Sequence, residues 1–317
     1  MTPSTDPVDP AATARAARRR RRRLGALAIG LLAIFAVIDI WLRRDNWGFE
    51  DVRAYWEAAL RLREGLPLYG GTDDPNSYGV FRYAPWFAYL WVPLTYLPRT
   101  AAELLWGALL AGSSLAVLIA LVRLRTAAAV ALALLLLPMF HSLVQVGNVQ
   151  PLLVATLAFG VSRRSGPLWI AAAASLKATP ILYTLVYVAR RQWMRVAVSL
   201  LITGVLLVPL VFTDLGSYQT DPGASFSLYY YVSPVVWAAA AGAAVLLAAW
   251  LAWQRSQWVW VAASVAVALA TPRTHATYAT FLVVGLLAGA QDRIVSRTLG
   301  ALSRGEASRD PSVREPS

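Results

Sequence analysis

The sequence RRRRRRLGALAIGLLAIFAVIDIWL, residues 18–42, decides the fold class of this 317-residue chain. Six arginines precede the apolar run 24–42, which has the length of ~20 residues that a helix needs to cross a bilayer. A signal peptide has a shorter apolar core and a small-residue cleavage site, so we expect a helix that is not cleaved. Because basic residues stay on the cytoplasmic side, residues 43–83 are placed outside.

The rest of the composition extends this interpretation to the whole chain. Apolar residues make up 58% of the sequence and charged residues only 15%, whereas soluble domains carry about 25% charged residues. The apolar blocks are about 14–22 residues long, too long and too uniform for barrel strands. We therefore predict an all-α polytopic membrane protein with about 8–10 transmembrane or re-entrant helices.

The charge and the rare side chains exclude several classes of function. The net charge is +12, but the arginines lie between apolar blocks and at both ends, as topology determinants do. We therefore expect membrane lipids as surroundings and no nucleic-acid partner. The absence of cysteine excludes disulfides and thiol nucleophiles, and the two histidines alone cannot build a metal site.

The chain divides into three predicted parts. Residues 1–23 are expected to form a disordered, basic cytoplasmic arm. Residues 24–290 form a single transmembrane domain, with outer loops at 43–83 and 214–231. Residues 291–317, rich in Arg, Ser and Glu, form a disordered cytoplasmic tail.

The first outer loop contains an amphipathic helix, predicted for residues 51–64. Gly65 and Pro67 end it, and we expect it to lie flat on the outer leaflet. Asp51 stands at its start, where backbone amides favour a carboxylate, so this acid could be a helix cap or a base. The apolar face has helical spacing: Val52, Tyr55, Trp56, Ala59 and Leu60.

Two apolar segments carry breaks that turn them into short helices. Segment 84–97 is interrupted by Pro85 and Pro93, and we predict it to be re-entrant. Segment 167–189 is broken at Lys177-Ala178-Thr179-Pro180. A lysine within an apolar block is costly and marks an anionic ligand or a partner, although it could also snorkel to the interface.

Other polar residues fall on the same predicted outer side. Asn148 and Gln150, in QVGNVQP, could bind sugar hydroxyls or only cap a helix, and His275 could be a hydrogen-bonded structural group. The chain has no P-loop, HExxH or GxSxG motif and no soluble domain for a nucleotide. A membrane enzyme that faces outward, away from cytosolic nucleotide sugars, would therefore need a lipid-carried donor. The outer set is Asp51, Asn148, Lys177, Arg273 and His275.

A series of motifs runs along the chain in a fixed order. They are Asp51-x-x-x-Tyr55, Gly65-x-Pro67-Leu68-Tyr69, Phe81-Arg82-Tyr83-Ala84-Pro85, Gly147-Asn148, Leu176-Lys177-x-x-Pro180 and Thr271-Pro272-Arg273-Thr274-His275. In this order they resemble the polyprenol-phosphate-mannose-dependent α-(1→2)-mannosyltransferases, glycosyltransferase family 87, which are membrane enzymes of the GT-C type. The resemblance spans about residues 45–290, and the pattern departs from the family at Ala84 and Thr274.

The resemblance implies a GT-C-type bundle and a hexosyltransferase of cell-envelope synthesis at the plasma membrane. A polyprenyl-phosphate-sugar would be the donor and a glycolipid or polysaccharide the acceptor, with no cofactor and no divalent metal. Residue by residue, the resemblance implies Asp51 as the base, Lys177 near the donor phosphate, and His275 in a block with a family histidine, assigned here to catalysis. The other predicted site residues are Arg273 and Arg82 for the donor phosphate, and Tyr55, Tyr83, Asn148 and Gln150 for the sugar or acceptor.

Two other classes of function fit the same composition. A transporter or flippase of lipid-linked sugars would use the same basic cavity and intramembrane lysine but would need access from both faces. The other class is a non-catalytic membrane subunit that scaffolds cell-envelope synthesis. The clustering of polar candidates on one face favours the enzyme.

Overall fold

The computed structural model describes residues 10–70, 80–216, 218, 228–272 and 276–292. Within these ranges the chain is helical and contains no strand. Five helical segments are long and apolar enough to cross a membrane, and three shorter apolar segments accompany them. The prediction of an all-α polytopic membrane protein is confirmed.

Thirteen α-helices follow one another along the described chain. They are α1 (Pro10–Leu42), α2 (Glu50–Arg63), α3 (Pro85–Trp91), α4 (Arg99–Val122), α5 (Ala127–Val146), α6 (Gln150–Gly160), α7 (Gly166–Lys177), α8 (Thr184–Ala189), α9 (Trp193–Leu207), α10 (Leu228–Tyr231), α11 (Pro234–Trp253), α12 (Val259–Leu269) and α13 (282–292). Short 3₁₀ helices occupy Val92–Tyr96, Thr179–Tyr183, Val208–Phe212 and Ala276–Phe281.

Helix α1 begins earlier than the sequence predicts. Residues 10–23, assigned above to a disordered arm, are helical and continue directly into the apolar span Arg23–Leu42. Alanine and arginine are good helix formers, and a helix that already exists extends at little cost compared with starting a new one. The remainder of the predicted arm, residues 1–9, lies outside the described residues.

Both predicted breaks are present. Helix α3 and the 3₁₀ helix Val92–Tyr96 together extend about 20 Å, less than the ~30 Å of a hydrocarbon core, which fits a re-entrant segment. Helix α7 ends at Lys177, and Ala178 takes φ 52° and ψ −58° before the 3₁₀ helix Thr179–Tyr183 begins. A positive φ is costly for alanine and stops the helix there.

The helices run between two ends of one bundle. At the first, here called the Asp292 end, Arg190 pairs with Asp292 at 2.6 Å and the Tyr187 hydroxyl donates to the Val161 carbonyl at 2.5 Å. At the other, the Asp51 end, Trp106 Nε1 donates to the Gly147 carbonyl at 2.9 Å. The ends of α2, α5 and α7 that carry the polar candidates therefore meet at the Asp51 end.

Helix α2 packs differently from its prediction. Val52, Tyr55 and Ala59 are buried in the protein core, where α2 contacts α3 and the 3₁₀ helix Val92–Tyr96. The expectation that its apolar face rests on the outer leaflet is wrong, because aromatic side chains of α3 and α4 cover that face. The helix is amphipathic, as predicted, but protein rather than lipid accepts its apolar side.

Candidate active site

Asp51 lies in the first turn of α2 and not at its cap. The cap residue is Phe49, which has a left-handed backbone (φ 47°, ψ 36°) and makes no side-chain cap bond. The Phe49 amide donates to the Gln145 carbonyl at 3.1 Å, which ties the start of α2 to the last turn of α5. The partly buried Asp51 carboxylate instead accepts a 2.6 Å hydrogen bond from Asn148 Nδ2.

Gly147 makes the meeting of Asp51 and Asn148 possible. It caps α5 with φ 76°, and a Cβ at this position would lie 2.2 Å from Val52 Cγ2 of α2. A left-handed conformation favours glycine, and a contact of 2.2 Å is far too short for two carbon atoms. Only glycine therefore allows α2 to approach the α5–α6 turn closely.

We expect Gly147→Ala to lower both the melting temperature and the activity, because the side chain would push α2 away from Asn148 while straining the backbone. Gly112→Ala in α4 is the matched control, since a Cβ there has no atom within 4 Å and alanine favours helix. Thermal melting in detergent and an activity assay measure the two effects. Identical behaviour of the two variants would contradict the packing argument.

Gln150 links the Asp51 side of the site to the Lys177 side. Its backbone amide donates to Asn148 Oδ1 at 3.0 Å. Its buried side chain donates to the Thr277 carbonyl at 2.8 Å and to Thr280 Oγ1 at 2.9 Å, and accepts from Lys177 Nζ at 3.2 Å. Gln150 therefore positions its neighbours and is not exposed to contact a sugar, which corrects its assignment from sequence.

Lys177 ends α7 and points into this polar group. Besides Gln150, its ammonium contacts the Tyr278 hydroxyl at 3.4 Å and lies 4.9 Å from the centre of the Tyr278 ring. The side chain is only partly buried, so an anion could reach it. Tyr278 was missed by the sequence reasoning, which considered only the block that ends at His275.

Tyr55 and Tyr83 have different degrees of exposure. Their hydroxyls lie 3.2 Å apart, and Tyr55 also accepts from the Val149 amide at 3.3 Å. Tyr55 is buried among the rings of Phe87 and Trp91 and is therefore a structural residue, in contrast to its predicted sugar contact. Tyr83 is partly exposed and remains a candidate contact.

The neighbouring loops hold the segment that contains Arg82 and Tyr83. The Tyr69 hydroxyl donates to the Tyr83 carbonyl at 2.8 Å, and the Tyr218 hydroxyl donates to the Arg82 carbonyl at 3.3 Å. The Tyr69 and Tyr218 rings meet edge to face, with centroids 4.8 Å apart. The first polar loop and the segment after α9 are thus joined beside Arg82.

Electrostatics make Asp51 a suitable proton acceptor. Burial raises its pKa to about 6, while the Asn148 bond and the charges of Lys177 and Arg82 act in the opposite direction. The carboxylate therefore changes its charge just below neutral pH, where a general base is efficient. Burial also raises the pKa of Tyr83 to about 12, so this phenol stays protonated and can donate a hydrogen bond.

The described structure thus brings together a carboxylate, two cations and a phenol. Asp51, Lys177, Arg82 and Tyr83 are all partly exposed at the Asp51 end. Arg273 and His275 lie outside the described residues. Among the described residues, no three His, Asp or Glu side chains are grouped to hold a metal ion. This arrangement can accept a proton and bind an anion at neighbouring points.

Comparison with protein families gives one match. Residues 81–220 match the sequence model of glycosyltransferase family 87. The match includes Arg82, Asn148 and Lys177 and excludes Asp51 and Tyr278. Comparison with curated proteins gave no match, and comparison with solved structures gave none. The match covers somewhat less than half of the chain and supports a membrane glycosyltransferase: in residues 81–220, this protein is similar to glycosyltransferase family 87.

Proposed function

We propose that the protein transfers a sugar, mannose in the family it resembles, from a polyprenyl-phosphate donor to a glycolipid or polysaccharide acceptor. The observation that carries the proposal is the position of the Asp51 carboxylate, bonded to Asn148 and electrostatically coupled to Lys177 and Arg82. A base beside a cationic site is what the attack of a hydroxyl on a sugar phosphate requires. The reaction takes place at the outer face of the plasma membrane, with the N-terminus in the cytoplasm.

In this proposal Asp51 removes the proton of the acceptor hydroxyl while its oxygen attacks the anomeric carbon. The bond between that carbon and the phosphate oxygen breaks, and the electron pair leaves with the polyprenyl phosphate. The proton ends on Asp51. A phosphate leaving group needs no protonation, so a single carboxylate suffices, and direct displacement inverts the anomeric centre, giving an α-linked product from a β-linked donor.

Lys177 and Arg82 stabilise the negative charge that grows on the leaving phosphate. Fixed charges in a site of low dielectric act strongly on such charge because they need no reorganisation during the reaction. Tyr83 donates a hydrogen bond to the donor or the sugar, and Asn148 keeps the Asp51 carboxylate oriented. Arg273 and His275 are assigned to the same phosphate and to catalysis on the resemblance alone. Because these side chains neutralise the charge of the phosphate, the proposal includes no cofactor and no divalent metal.

The decisive experiment offers purified protein a set of labelled donors. We expect transfer to a membrane glycolipid acceptor from polyprenyl-phosphate-mannose, and no transfer from GDP-mannose, because no nucleotide-binding motif is present. Polyprenyl-phosphate-arabinose in the same assay tests the choice of sugar. Use of the nucleotide sugar would overturn the lipid-donor proposal. Movement of the lipid-linked sugar across vesicle membranes without transfer would indicate the transporter instead.

We expect the pH dependence of kcat/KM to show an acid limb with an apparent pKa near 6. Asp51 acts in its ionised form and its pKa is raised to about 6, so activity is full above this pH and falls about tenfold per unit below it. Initial rates between pH 4.5 and 8 measure the limb, and melting curves across the range confirm that the protein remains folded. Rates that stay constant from pH 8 down to pH 5 would show that Asp51 titrates as an ordinary exposed aspartate.

A further inference from the structure

A polar cavity of about 520 Å³ lies beside the start of α2. It is bounded by the segment 43–50, which joins α1 to α2, and by the last turn of α5. Its volume lies within the about 300–1,000 Å³ typical of small-ligand sites. The lining residues used below are Arg43, Asp45, Asn46, Trp47, Glu50 and Gln145.

Both walls of the cavity contain residues that are close sequence neighbours of the Asp51–Asn148 pair. Glu50 lines the cavity and precedes Asp51, and Val146 lines it two residues before Asn148. Consecutive Cα atoms are about 3.8 Å apart, so the backbone at Glu50 and Val146 lies close to the Asp51–Asn148 pair, which itself does not line the cavity. Successive residues of a helix point about 100° apart, which directs Glu50 into the cavity and Asp51 towards Asn148.

Trp47 provides an exposed aromatic surface in this cavity. About half of the residue is exposed, although its ring is held between two others. The ring of His141 lies edge-on with a centroid distance of 5.8 Å, and the ring of Phe49 lies at 5.8 Å on a tilt. A fixed, half-exposed indole gives a ligand an apolar surface at little cost in entropy.

Glu50 supplies a polar group that lacks a partner. Its Oε2 is buried and accepts no hydrogen bond in the described structure. A Cβ at Gly48 would lie 2.0 Å from Glu50 Oε1, so the glycine leaves room for the carboxylate to fold over the backbone. A buried acceptor without a donor is costly, and a ligand hydroxyl would satisfy it.

Planar polar side chains around an indole suit a polyol better than a phosphate or an acyl chain. Arg43 and Asn46 can donate hydrogen bonds, and Asp45 and Glu50 can accept from neighbouring hydroxyls. Gln145 is buried, and its Nε2 donates to the Arg43 carbonyl, which holds the cavity wall in place. The two carboxylates would repel an anion. An acyl chain would leave all of these polar groups without partners.

We propose that this cavity binds the terminal sugar of the acceptor glycan, stacked on Trp47 and hydrogen-bonded to Glu50, so that its reactive hydroxyl reaches Asp51. The proposal rests on the proposed transferase activity and adds where the acceptor binds. Asp51 then lies between two subsites, with the acceptor towards Trp47 and the donor phosphate towards Lys177. Specificity for the acceptor would then depend on the segment 43–50.

The test compares Trp47→Ala with Trp253→Ala, an exposed tryptophan near the end of α11. We expect Trp47→Ala to raise the acceptor KM about tenfold with the donor KM unchanged, and Trp253→Ala to change neither. Glu50→Gln should raise the acceptor KM in the same way. An unchanged acceptor KM in both Trp47→Ala and Glu50→Gln would overturn the proposal.

A binding measurement without donor separates this proposal from the transferase activity. Saturation-transfer NMR with α-(1→2)-mannobiose and an arabinofuranose disaccharide as probes should show binding of at least one probe to the wild-type protein, lost in Trp47→Ala and kept in Trp253→Ala. Such binding in a protein that transfers no sugar would refute the proposed function alone. If the wild-type protein transfers sugar but binds neither probe, the cavity assignment alone would be refuted. The same holds if the protein transfers sugar and the probes bind equally well to Trp47→Ala.

Discussion

Asp51→Asn is expected to reduce sugar transfer from the lipid-phosphate donor by a factor of at least about 10²–10⁴, the usual contribution of a positioned general base. The asparagine keeps the size of the side chain, and its oxygen can still accept the 2.6 Å hydrogen bond from Asn148, so only the basicity is lost. Single-turnover transfer of labelled sugar measures the chemical step directly. Full activity of this variant would remove Asp51 from the mechanism.

The stability of the same variant provides its control. Because burial raises the pKa of Asp51 to about 6, the ionised carboxylate is disfavoured in the folded protein, and stability is lost as the pH rises through this value. An uncharged asparagine avoids that loss, so the melting temperature at pH 7.5 should equal or exceed that of the wild type. Inactivity accompanied by a lower melting temperature would indicate damage to the fold instead of loss of the base.

Lys177→Met is expected to lower kcat/KM for the donor by about 10- to 100-fold, the range of one lost charge-assisted hydrogen bond. Methionine replaces most of the aliphatic stem and removes the ammonium that contacts Gln150 and Tyr278. The effect should appear mainly in the donor KM, with a further loss in kcat because charge grows on the phosphate in the transition state. The acceptor KM should not change.

Inhibition by the product polyprenyl phosphate gives a second readout. The inhibition constant should rise in Lys177→Met and stay unchanged in Arg164→Met, which removes an exposed positive charge from the loop between α6 and α7. Equal inhibition of the two variants and the wild type would show that Lys177 does not meet the phosphate. Its contacts with Gln150 and Tyr278 would then be purely structural.

The secondary structure was largely predictable because its signals are local. Apolar blocks of membrane length, the prolines at 85 and 93, and the Lys177–Pro180 break all mark helix boundaries within a few residues. The start of α1 at Pro10 was not predicted, since a run of arginines resembles a disordered arm until an adjoining apolar helix extends into it. The amphipathic pattern of α2 was read correctly, whereas the surface that covers it was not.

The packing of α2 shows why the tertiary arrangement could not be predicted from the sequence. An apolar face on a polar loop fits a lipid surface as well as a protein surface, and periodicity does not distinguish the two. In the folded protein, aromatic rings of α3 enclose Tyr55, so a protein surface covers this face. Because these rings enclose it, Tyr55 is buried in the fold, although the sequence analysis predicted that it contacts the sugar.

The sequence by itself determined that this protein is a helical membrane protein and singled out Asp51, Asn148 and Lys177 as candidates. Lys177 stands out because a charge in an apolar segment is costly, and Asp51 and Asn148 because they lie in polar segments predicted to face the same side. Only the tertiary structure decided which of them meet. Asp51 and Asn148 are 97 residues apart and Lys177 and Tyr278 are 101 apart, and helices with uniformly apolar surfaces carry no signal of their partners. That pairing gives Asp51, already a candidate base from the sequence, its Asn148 partner, and it moves Gln150 from the sugar to the support of Lys177.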